Sequence, residues 1–134
     1  AGRQALIITG ARTDVNKLIS SATVFVGVSR AALEAMAAEK PVILAGSQGY
    51  LGILDKDNLE SAYRTNFCCR GCGAADKEQL LRDISSLLCS SEDVLKELGS
   101  QNRDIILRDY SVMRMVQDHQ SVYSSISASA SLDR

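Results

Sequence analysis

Val24-Phe25-Val26-Gly27-Val28-Ser29-Arg30-Ala31-Ala32-Leu33-Glu34-Ala35-Met36-Ala37-Ala38-Glu39-Lys40-Pro41-Val42-Ile43-Leu44-Ala45 is the stretch whose reading decides the fold. Its two ends are apolar at nearly every position instead of alternating, which suits strands covered on both faces. Its middle, Arg30 to Glu39, is rich in alanine, leucine and methionine and favours helix, with Ser29 placed to cap it. Pro41 opens the second strand, where a missing N–H matters least. Joints this short make a right-handed crossover between parallel strands.

Upstream, Ala5-Leu6-Ile7-Ile8-Thr9 is another continuous apolar run, and it ends at Gly10. Asp14 to Ser21 supplies about two helical turns, with Thr13 as the expected cap. Strand–helix–strand–helix–strand predicts an α/β domain with an open, doubly wound, Rossmann-like parallel sheet flanked by helices. Residues 46–58, with Gly46, Gly49 and Gly52, read as turns, and Tyr63 to Cys68 as a short further strand. Asp76 with Gln79, and Ser90 with Asp93, have capping-box spacing and mark helices running to about Leu88 and Leu107. A last helix spans 111–126, and the small polar residues beyond it are expected to fray. The expected organisation is one domain over 1–126 and a flexible tail over 127–134. Because the first strand begins almost at residue 1, the domain reads as a fragment of a larger enzyme.

Composition narrows the function. With 134 residues, 46% hydrophobic and 23% charged, the chain has enough apolar content for one folded domain, which excludes wholesale disorder. A net charge of −1 supplies no field to gather nucleic acid or anionic lipid, and the absence of tryptophan argues against base-stacking platforms. No apolar run reaches the roughly 20 residues that span a bilayer. Ala1-Gly2-Arg3-Gln4 lacks the layout of a signal peptide, so the expectation is a cytoplasmic protein with reduced thiols.

Ligands of open α/β sheets bind beyond the carboxyl ends of the strands. Here those ends are Gly10 to Thr13, Gly27 to Arg30, and Ala45 to Tyr50, which makes Gly10, Arg12, Gly46, Gly49 and Tyr50 candidate loop residues. The middle one is the most informative. Unpaired amides at the helix start near Ser29, Arg30 and Ala31, together with the helix dipole, form a natural anion site. Arg30 adds a charge-assisted contact to phosphate. Glu34, one turn on, either points to solvent or pairs with a lysine, or else accepts hydrogen bonds from a ribose.

The string from Val26 to Ile43, with Leu33-Glu34-Ala35-Met36-Ala37 and Lys40-Pro41-Val42-Ile43 at its heart, resembles the donor-binding signature of GT-B glycosyltransferases of the family-four type. The resemblance implies the nucleotide-sugar-binding half of a two-domain enzyme. Glu34 takes the place of the acid that binds ribose hydroxyls, and Arg30 and Ala31 that of the phosphate-binding amides. It implies a preceding domain that holds a glycan, lipid or other acceptor, and a last helix, residues 111–126, that crosses back to it. No metal or other cofactor is implied; the nucleotide-diphosphate sugar is the substrate. The sequence departs from the signature at three positions. Val26 stands where a first glutamate is usual, Ser29 where a glycine precedes the amides, and Glu39 where a glycine ends the helix.

Other signals are weaker. Cys69 and Cys72, beside Cys68, form one pair at metal-ligand spacing, short of the two pairs a structural zinc normally takes. As a redox pair they lack the usual setting at a helix start after a strand, so ordinary thiols are the better reading. His119 reads as a surface or satisfied helical residue. Met113, Val116 and Val122 follow a helical face, as core contacts or as a seam to another domain. Tyr50 either stacks on a base or sugar or anchors its loop. The function expected from all this is sugar transfer from a nucleotide-diphosphate donor, with this piece alone not competent. The alternative is a non-catalytic nucleotide-binding or interaction domain of the same fold.

Overall fold

The computed structural model describes residues 6–132. The elements are α1 (Val15–Ser21), β1 (Phe25–Gly27), α2 (Ser29–Ala37), β2 (Val42–Gly46), β3 (Gly49–Ile53), α3 (Leu59–Arg64), α4 (Lys77–Leu88), α5 (Glu92–Ile105), a π-helical turn (Ile106–Tyr110) and α6 (Val112–Leu132). As expected, α2 crosses between β1 and β2, which pair in parallel with Phe25 opposite Val42 and Gly27 opposite Leu44. The uninterrupted apolar run in β2 has its physical reason here. Val42 and Leu44 face a core with Ala32, Ala35 and Met36 of α2, while Ile43 faces the other way, against Leu87 of α4. Helices cover both faces of the sheet.

The sheet has three strands in the order β1-β2-β3, and it is mixed rather than all parallel. Gly46 and Gly49 pair across the two-residue turn Ser47-Gln48, so β3 returns antiparallel to β2, with a register shift beside Leu44 and Ala45. The stretch expected to be turns is therefore half strand. Its glycines hide a strand pattern carried by Tyr50, Leu51 and Ile53, and a two-residue connection can only reverse the chain.

Three further expectations are corrected. Residues 6–10 form no strand, and Leu6, Ile7 and Ile8 are 69%, 74% and 86% exposed. A continuous apolar run becomes a strand only where a neighbour supplies its hydrogen bonds, and none does so among the described residues. Ala5 lies outside the described residues. The strand expected at 63–68 is instead the end of α3 and a turn, closed by the Phe67 amide donating to the Ala62 carbonyl at 2.8 Å and the Cys68 amide donating to that of Thr65 at 3.0 Å. The helix expected to stop near 126 continues to Leu132, so most of the expected tail is helical.

Caps follow the sequence in part. Asp76 caps α4 by accepting from the Glu78 amide at 2.9 Å. The cap of α5 is Ser91, one residue later than the spacing suggested. Neither Thr13 nor Ser29 caps: α1 begins after Asp14, and Ser29 is the first residue of α2. Among the described residues no helix is long and apolar enough to cross a membrane.

Candidate functional site

At the carboxyl end of β1 the chain turns into α2 through Ser29, whose φ of +57° lies in the left-handed region. The Ser29 amide is spent on the Phe67 carbonyl at 2.7 Å. The amides of Arg30 and Ala31 belong to the first turn, which has no intrahelical acceptor for them. Arg30 and Glu34 stand on one exposed face of α2, with Nε donating to Oε1 at 3.1 Å and side chains 91% and 48% exposed. Glu34 thus pairs at the surface, with an arginine and not the expected lysine.

The far end of α2 repeats the backbone feature. Glu39 has φ +58° and lies just past the helix, so both ends of α2 adopt a conformation that glycine enters freely and other residues enter at a cost of about 1–2 kcal/mol. These are the two positions at which glycine was expected from the resemblance. Helix α5 closes over this end. Asn102, 3% exposed, donates through Nδ2 to the Lys40 carbonyl at 2.9 Å, and Arg103 donates to the Ala37 carbonyl.

Gly46, at the end of β2, abuts Val28, so the ends of β1 and β2 share one rim. Residues 66–73 lie along it. The Gly73 carbonyl accepts from the Tyr50 amide at 2.7 Å, and Arg70 Nε donates to Gln48 Oε1 at 3.1 Å. A Cβ on Gly49 would lie 2.0 Å from the Cys69 carbonyl oxygen, so only glycine admits this approach. Beside the segment, an open cavity of about 420 Å³ is lined by Gly46, Ser47, Gln48, Gly49 and Cys72.

The structure gathers Ser29, Gly46 and Gly49 along this rim, with Arg30, Ala31 and Glu34 on the first turns of α2 beside it. Tyr50 belongs to the core instead: it is 6% exposed and its hydroxyl donates to the Asp83 carboxylate of α4. Burial, reinforced by Asp83, pushes its pKa well above the ordinary phenol value. Gly10 and Arg12 are exposed ahead of α1, and Arg12 is held by Asp14 through two bonds of 2.7 and 2.8 Å. That pairing lowers the Asp14 pKa and raises that of Arg12. No hydrogen bond among the described residues ties either of them to the rim.

Among the described residues no three His, Cys, Asp or Glu side chains converge as a metal centre requires. His119 is exposed on α6, bonded through Nδ1 to the Met115 carbonyl at 2.7 Å. Sequence reasoning missed Asn102, Asp83 and a cluster in which Tyr63 donates to Asp109 while Arg108 bridges both. Asn102 had a signal, since it falls at helical spacing with Leu95, Leu98 and Ile105 on an otherwise apolar face. The Tyr63 cluster joins residues 45 or more apart and had none.

The chain matches no protein-family model, no curated protein and no solved structure. Function must therefore be argued from the site.

Proposed function

We propose that this chain is the donor half of a GT-B glycosyltransferase of the family-four type, binding a nucleotide-diphosphate sugar at the start of α2. One observation carries the reading. Ser29 and Glu39 hold left-handed backbone at the two places where the resembled signature has glycine, so the glycine-dependent course of the chain is kept although the glycines are not. The amides of Arg30 and Ala31, the helix dipole and the Arg30 guanidinium take the diphosphate and stabilise it as leaving group. Glu34 turns from Arg30 to the ribose hydroxyls. An exposed i,i+4 pair contributes only about 0.3–0.5 kcal/mol, so little opposes that exchange. The acceptor is held by a second domain, and α6 forms part of the seam to it.

A non-catalytic nucleotide-binding domain is the second reading, and Val26 favours it. That residue is exposed on β1 at the place of the first acid of the signature. Both readings require nucleotide at α2. Titration with uridine and guanosine diphosphates, followed through backbone amide resonances, is expected to shift residues 29–34. Glu34→Ala is expected to weaken binding by about tenfold, the equivalent of roughly 1.4 kcal/mol. Unmoved resonances at millimolar nucleotide overturn the proposal. Sugar transfer by the complete two-domain enzyme separates the two readings.

A further inference from the structure

The segment over the strand ends is strained and carries two thiols in one tight turn. Asn66, Phe67 and Cys69 all have positive φ, between +50° and +58°. Left-handed conformations in non-glycine residues cluster at clamps and switches, where the surrounding structure holds them. Within this segment the Cys72 amide donates to the Cys69 carbonyl at 3.0 Å, and Gly71 between them has φ +80°, the value a type II turn needs at its third position. Such a turn keeps its end Cα atoms under about 7 Å apart, within the span of a disulfide.

The two sulfurs share surroundings but differ in access. Cys69 is fully buried in the core cluster, and Cys72 packs against that same cluster while also lining the rim cavity. Cys68 donates through Sγ to the Asn66 carbonyl at 3.5 Å. Cys89 is exposed on a different helix end.

We propose that Cys69 and Cys72 form a thiol–disulfide exchange site whose oxidation locks the segment covering the strand ends. The oxidant is a small disulfide of the glutathione class. The Cys72 thiolate attacks one of its sulfurs, its S–S bond breaks, and one small thiol leaves and takes up a proton. The Cys69 thiolate then attacks Cys72 Sγ, the mixed disulfide breaks, and the second small thiol leaves and is protonated. The protein loses two electrons and two protons, and the small disulfide gains both. The order of attack follows from access, and burial also raises the Cys69 thiol pKa, leaving Cys72 as the first nucleophile. The new bond fixes the carbonyl groups of residues 67–73 on which Ser29, Gly49 and Tyr50 rest.

The site is tested on the 134-residue chain with Cys89→Ser in place, incubated with oxidised glutathione and digested with trypsin. Cleavage after Arg70 separates residues 65–70 from 71–77, so a disulfide to Cys72 keeps the two peptides joined until reductant is added. The joined pair is expected to dominate, to survive Cys68→Ser and to vanish in Cys69→Ser. In concentrated urea the link is expected to form less readily, because the turn no longer holds the sulfurs together. In the oxidised native protein the amides of Ser29 and Tyr50 are expected to exchange hydrogen several-fold more slowly. Absence of the joined peptides, a link that needs Cys68 rather than Cys69, equal formation in urea, or unchanged exchange at both amides overturns the proposal.

Discussion

Glu39 occupies a conformation that its Cβ disfavours, and little in its surroundings compensates. Its ion pair with Arg103 is long at 3.5 Å and both partners are exposed, a class that contributes little. Glu39→Gly is therefore expected to raise stability by about 1 kcal/mol, read as a higher urea midpoint at unchanged slope. A lower midpoint would show that the carboxylate is worth more than the strain. Tyr50 gives a pH signature at the same scale. Its folded pKa lies above the unfolded value of 10.0 because burial and then Asp83 disfavour the phenolate. Its stabilisation is complete below about pH 10 and is lost as pH climbs from there toward the folded value. The urea midpoint should fall on that alkaline limb, and Tyr50→Phe should flatten the limb without removing it, since burial raises Tyr63 and Tyr110 as well. An unchanged limb in the variant would mean that the Tyr50 hydroxyl is not shielded in solution.

Among the elements, α5 fixes the far end of α2, and it does so through a glycine. A Cβ on Gly99 would lie 2.1 Å from the Glu39 carbonyl oxygen, a backbone atom that cannot swing aside. Gly99→Ala is expected to lose about 1–3 kcal/mol, the range of overpacked sites, although alanine has the better helix propensity. A neutral result in urea unfolding would mean that α5 sits farther from α2. The same contrast explains what the sequence revealed about the elements. α2 and β2 were legible because periodicity and a continuous apolar run report burial directly. β3 was not, because Gly49 and Gly52 answer to the Cys69 carbonyl and to a bulge, requirements set by residues distant in sequence. Residues 6–9 misled for the opposite reason, since their pattern is that of a strand and no ladder among the described residues makes them one. At the candidate site, the start of α2 was readable from local pattern, whereas the pattern left the setting of Glu34 open between a surface acid and a ribose ligand. The covering by residues 66–73, and the withdrawal of Tyr50 into the core, depend on contacts between remote segments that no local pattern encodes.

Across the whole molecule, the compact part ends near Tyr110, and α6 extends from it with few anchors. Val112, Met113, Met115, Val116, Val122, Tyr123 and Ile126 are all exposed, which removes the reading of Met113, Val116 and Val122 as core. The helix packs chiefly against the π-helical turn before it. Stability scales with apolar area withdrawn from water, and α6 withdraws little. Deleting residues 112–134 is therefore expected to leave the urea midpoint of the remaining chain within the equivalent of about 1 kcal/mol, with Tyr63 and Tyr110 still stacked and both edge-to-face with Phe67. The deletion should also reduce binding of a hydrophobic dye, because the exposed apolar side chains leave with the helix. A large drop in midpoint would place α6 in the fold itself and would remove it as a seam for an acceptor domain. An unchanged midpoint with weaker dye binding would leave it as a surface free to serve one.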